Sequence, residues 1–157
     1  MTSFCGVKVR EIGVWPFTRY RCAVTLPGIG IFMSKGLKEN KSMMRHEYGH
    51  ILQARYFGLP FYWLIVSPTS LLSCILHLHS KTFDHADTWT EWSANRLAYT
   101  YFGKPADWDK RRYPTKSSKT KRWASKFPSR GKRAVIYSTL LGVLIMTAAI
   151  SYLKTVE

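Results

Sequence analysis

The sequence predicts an α+β fold: a small N-terminal antiparallel sheet packed on two helices, then membrane-associated apolar segments and a C-terminal transmembrane helix. Three observations carry this. Short β-favouring runs separated by turn residues fill positions 4–33, two stretches with helical start and stop signals follow, and two long segments hold no charged residue. The composition agrees. With 157 residues, 46% of them hydrophobic, the chain is long and apolar enough for one buried core, and disorder is excluded as a general description.

The N-terminal runs are 4–10, 19–26 and 29–33, rich in Val, Ile, Phe and Thr and separated by Gly13, Trp15-Pro16 and Pro27-Gly28. The last of them, within 28–34, stands just before the first helix. It is expected either as an edge strand able to pair with an extended peptide or as an ordinary core strand. No basic-then-apolar leader pattern opens the chain. Cys5, Cys22 and Cys74 are odd in number and widely spaced, which suggests neither a disulfide framework nor a cysteine metal site and fits a reducing compartment.

The segment 42–54 contains His46-Glu47-Tyr48-Gly49-His50. A Gly/Lys/Asn-rich turn precedes it, Gly58 stands at the cap position and Pro60 ends it, so the segment reads as a helix. Histidines four apart lie about 40° apart around a helix, one turn up, and both imidazoles can reach one ion. Zinc is the expected ion. Glu47 lies on the same half of the helix, where its carboxylate can take a proton from a water without being a ligand.

Segment 59–78 has no Lys, Arg, Asp or Glu but carries Pro68, Ser67, Thr69, Ser70 and Ser73. It is expected as a re-entrant or interfacial pair of short helices, with a buried core helix as the alternative. A second helix is read over 84–102, closed by Gly103 and Pro105. Glu91 is the natural third ligand there, leaving a fourth position open, although Thr88-x-x-Glu91 also fits a capping box. His85, Asp87, His77 and His79 are the alternative ligands. Donors to a developing oxyanion could be Tyr62, His85 or Tyr99.

His46-Glu47-Tyr48-Gly49-His50 followed by Glu91-Trp92-Ser93-Ala94-Asn95-Arg96-Leu97-Ala98 resembles the gluzincin metallopeptidases. The likeness is greatest to the membrane-bound group that includes the HtpX heat-shock protease and the CAAX prenyl proteases, and it covers about residues 40–102. It implies a minimal zincin-like metallopeptidase domain over 1–103, with His46, His50 and Glu91 as zinc ligands and Glu47 as general base. Asn95 matches an aspartate that orients a ligand histidine by accepting its other N–H. Here the acceptor is neutral. That implies either a more weakly tuned site or an inactive one.

Net charge is +15, and the segment 104–133 holds twelve Lys/Arg against two Asp. An anionic partner is implied. The uncharged 134–153 that follows is long enough to cross a bilayer, so the basic tract is read as a juxtamembrane linker on anionic lipid, and no nucleic acid is expected. A Lys/Arg excess beside a span stays cytoplasmic. Together these readings describe a zinc-dependent endopeptidase held by one C-terminal span, its catalytic part facing the cytoplasm and acting on peptide or protein. The alternatives are a non-catalytic membrane adaptor with structural zinc or no metal, and a nucleic-acid-binding protein.

Overall fold

A computed structural model describes residues 2–15, 17–79 and 83–117. The architecture is α+β. Strands β1 (Thr2–Phe4), β2 (Val7–Ile12), β3 (Ala23–Leu26) and β4 (Gly30–Ser34) form one sheet in the order β1-β2-β4-β3. The expected antiparallel sheet is therefore corrected to a mixed one: β1/β2 and β3/β4 are antiparallel hairpins, but β2 and β4 pair in parallel, Val9 opposite Ile31. The reason lies between β2 and β3. Part of the expected strand 19–26 is instead the helical turn α1 (Phe17–Tyr20), which carries the chain past one strand position so that β4 can insert between β2 and β3. Position 28–34 is thus not an edge; β4 is central, with Ile31 and Met33 fully buried, and β3 is the edge on that side.

Helix α2 (Lys41–Phe57) starts where Asn40 Oδ1 accepts a hydrogen bond from the Met43 amide at 3.0 Å, satisfying one of the unpaired first-turn donors. It ends at Gly58, whose φ of 87° few other residues tolerate. Next comes one helical run of 21 residues, Leu59–His79, and not the expected pair of short helices. It consists of α3 (Leu59–Phe61), a π-helical turn (Tyr62–Val66) and α4 (Ser67–His79). The π turn absorbs Pro68. Widening the backbone bonds, with the Ser67 amide reaching back to Tyr62, lets a residue without an N–H pass without breaking the helix. This run is the helix among the described residues long and apolar enough to cross a membrane by length and composition, and 22% of its most apolar window is buried. Packing against the rest of the fold therefore covers little of its apolar surface.

A single 3₁₀ turn (His85–Asp87) leads into α5 (Trp89–Tyr101). Helices α2 and α5 lie antiparallel, since His46 meets Asn95 near one end while Gln53 meets Thr90 near the other. Their closeness has a cause in Gly49: a Cβ there would stand 2.3 Å from the Ala94 carbonyl oxygen, so the crossing exists only without a side chain.

Packing continues beyond the boundary expected at residue 103. Trp108 and Tyr113 are buried in the main core with Val9, Ile31, Met33, Met43 and Ala98. Residues 105–114 form a strap across the ends of α2 and α5, pinned by a 2.8 Å Arg45–Asp107 ion pair and by Trp108 Nε1 donating to the Tyr113 carbonyl at 2.9 Å. The remainder of the expected linker, 118–133, and the expected span 134–153 lie outside the described residues.

Candidate metal centre

Along α2 the polar residues Glu47, His50 and Gln53 fall between Met43–Met44, in the main core, and Ala54, which packs with Tyr62 and Val66 in a second cluster. Burying them there is unfavourable unless each polar atom is paired. The pairing is nearly complete. Nε2 of His46 and of His50 face the same oxygen of Glu91, at 3.4 and 3.5 Å. Ligand atoms of His46, His50 and Glu91 all lie within 4.8 Å of one another.

The outer ring nitrogens fix the direction of these lone pairs. Asn95 Nδ2 donates to the Pro114 carbonyl at 3.0 Å, so its oxygen must face His46 Nδ1, 2.7 Å away. A carbonyl can only accept. The amide therefore has one sensible orientation, the proton sits on His46 Nδ1, and Nε2 keeps a free lone pair. Gln53 repeats the device: Nε2 donates to the Thr90 carbonyl and to Ser93 Oγ, both at 2.6 Å, and its oxygen lies 2.8 Å from His50 Nδ1. Each helix thus supplies the amide that ties it to the other. Sequence reasoning found Asn95 and missed Gln53, for which only its i+3 spacing from His50 was a signal.

The buried groups are strongly coupled electrostatically. Burial lowers the His50 pKa, but the charge and hydrogen bond of Glu91, with Glu47 adding, raise it to about 9 overall. Burial disfavours the Glu91 carboxylate, yet the surrounding imidazoles hold its pKa well below the usual range. Without a metal, a proton supplies the positive charge. Two convergent imidazoles and a carboxylate are a donor set that could hold a metal ion.

Glu47 is set apart from the three convergent residues. One of its oxygens lies 3.9 Å from His46 Nε2, while the other accepts from Thr25 Oγ1 at 2.7 Å, on the edge strand β3. Glu91 is not a cap: its carboxylate accepts from Ser70 Oγ at 2.6 Å, and the Thr88 hydroxyl turns back to the His85 carbonyl. His85 is brought to the site with Nε2 3.5 Å from Glu91, its Nδ1 2.6 Å from Ser73 Oγ. Burial lowers its pKa against the pull of Glu91. Tyr62 also stands there, its ring 6.5 Å from that of His50.

The other candidates lie elsewhere. Tyr99 packs on Trp108. His77 and His79 are exposed and bonded through Nδ1 to the Phe83 and Ile75 carbonyls, and Asp87 is not one of the convergent three. Tyr113 was missed: its buried ring sits 5.2 Å from the His46 ring, and its position in a charged, proline-bearing tract concealed it. A groove of about 430 Å³ opens between the two strand turns and the α2 face of Ile51 and Arg55, and none of the convergent residues lines it. Comparison with protein-family models, with curated proteins and with solved structures gives no match.

Proposed function

We propose that this chain is a zinc-dependent endopeptidase working at a membrane surface. The observation that carries the reading is the convergence of His46, His50 and Glu91 on one point with a second carboxylate, Glu47, beside them but outside the ligand set. A bound zinc ion would polarise the scissile carbonyl and bring the pKa of a water down to about 7. His46, His50 and Glu91 hold the ion, each histidine locked by its amide partner. Glu47 takes the proton from the attacking water and returns it to the leaving amine nitrogen, its far oxygen steadied by Thr25. His85 stands beside them, its Nδ1 bonded to Ser73 Oγ, whose own proton goes to the Ser70 carbonyl.

The edge role expected of 28–34 passes to β3. Because Thr25 joins that strand to Glu47, an extended peptide added to its open side would run past the base. The exposed apolar surface of Leu59–His79 supports membrane contact, and with the basic tract it favours anionic lipid and a cytoplasmic face. The test compares Glu47→Gln, His46→Ala and wild type for bound zinc and for hydrolysis of unfolded polypeptide. Glu47→Gln should keep stoichiometric zinc and lose nearly all turnover. Equal turnover in Glu47→Gln and wild type would end the peptidase reading.

A second reading has one observation of its own. The His85 imidazole is near enough to Glu91 to serve as a fourth ligand, which would close the site and make zinc structural in a non-catalytic adaptor. Zinc-edge absorption separates the two: three protein ligands and an oxygen support the enzyme, four protein ligands the adaptor.

A further inference from the structure

Tyr113 carries the one buried side-chain polar atom among the described residues that has no hydrogen-bond partner, its phenolic oxygen. Its surroundings make this unusual. The ring is held on one side by the His46 imidazole at 5.2 Å, tilted 36°, and on another by Trp108 at 6.4 Å. Its backbone is fixed on both flanks: the Tyr113 carbonyl accepts from Trp108 Nε1, and the next carbonyl, Pro114, accepts from Asn95. The residue is built into the same network that sets the His46 tautomer. A buried hydroxyl without a partner is costly, and such groups in well-packed sites are commonly completed by a ligand or water.

We propose that the Tyr113 hydroxyl is a hydrogen-bond donor to an oxygen of the substrate or inhibitor seated at the candidate metal centre, carried there by the 105–114 strap. The inference rests on the metal-centre reading. The strap then has a chemical reason to be latched to Asn95: tethering the carbonyl of Pro114 fixes the phenol one residue earlier against a ligand histidine. It also gives Asn95 a reason to be an amide. An ionised aspartate could accept from His46 but would face the Pro114 carbonyl acceptor to acceptor.

The test uses the full chain loaded with zinc and acetohydroxamate as the probe, comparing wild type, Tyr113→Phe and Tyr62→Phe. Tyr113→Phe keeps the ring against His46, so zinc affinity should stay within about twofold. Acetohydroxamate should bind roughly 5–10-fold more weakly, as loss of one neutral hydrogen bond implies. The metal-free variant should melt no lower than wild type, because it buries one fewer unpaired hydroxyl. That opposition of sign is what a merely structural tyrosine would not give. Unchanged hydroxamate affinity in Tyr113→Phe, or an equal loss of zinc itself, overturns the proposal, as does a loss found in Tyr62→Phe instead. Failure of wild type to take up zinc brings down the metal-centre reading and this inference with it.

Discussion

Gly49→Ala tests the construction of the site without touching a polar atom. A Cβ at this position would lie 2.3 Å from the Ala94 carbonyl oxygen, 2.8 Å from its carbon and 3.3 Å from its Cα. All three are helix backbone, which cannot turn aside as a side-chain tip can. Ordinary contact begins near 3.4 Å, so α2 and α5 must part by about 1 Å. Overpacking of this kind costs ~1–3 kcal/mol, against which alanine's better helix propensity returns ~0.5–1 kcal/mol. At ~2–4 °C per kcal/mol for a chain of 157 residues, the net cost of up to ~2.5 kcal/mol should lower Tm by up to roughly 10 °C. At an uncrowded helical position the same change would raise it. Because Glu91 rides on α5 and both histidines on α2, the same 1 Å also opens the proposed ligand set, where tolerance is about ±0.2 Å. Zinc affinity should drop by at least about tenfold. Thermal melts with and without zinc, and zinc competition against a fluorescent chelator, measure both. A variant that melts at or above wild type and binds zinc equally would refute the close-crossing argument.

Three further outcomes follow from the same geometry. Asn95→Asp, although it matches the aspartate of the gluzincin pattern, should destabilise the fold by ~1–3 kcal/mol and speed trypsin cleavage at the exposed Lys110, Arg111 and Arg112, since the Pro114 carbonyl loses its donor; unchanged stability and cleavage would show that the latch is dispensable. Glu91→Gln should bind zinc far more weakly, whereas a capping role would spare the metal, and retention of wild-type affinity would move the third ligand to His85 or Asp87. The third concerns pH in metal-free protein. His50 is raised from 6.5 to about 9, so its contribution is full below 6.5 and is lost as pH rises through 9; Glu91 is depressed from 4.5, so its contribution is present above 4.5 and fades as pH falls below it. Tm should therefore peak between about pH 4.5 and 6.5, and the gain from added zinc should widen from pH 6.5 to 8.5 as the competing proton leaves. A metal-free melting curve flat from pH 5 to 9 would contradict the buried ion cluster.

The sequence by itself determined the two helices that carry the candidate site and the identity of the convergent residues. A four-residue spacing puts His46 and His50 one turn apart on any helix, and Asn40, Gly58 and Gly103 punctuate the helices through backbone rules that need no partner. Glu91 and Asn95 were legible for the same reason. What only the tertiary structure decided is how separate segments meet. The order of strands in the sheet is one such matter: β4 paired with β3 through a short turn was readable, but its parallel insertion beside β2 depends on where the chain around α1 lies. The amide of Gln53 is another, because its partners Thr90 and Ser93 stand on a helix remote in sequence. The strap is the third. Its lysines and arginines dominate the composition of 104–117, while two aromatic rings, Trp108 and Tyr113, bury themselves against α2 and α5. Composition averages over a segment, but burial is won residue by residue, so a tract that is charged on average can still close a core and reach His46.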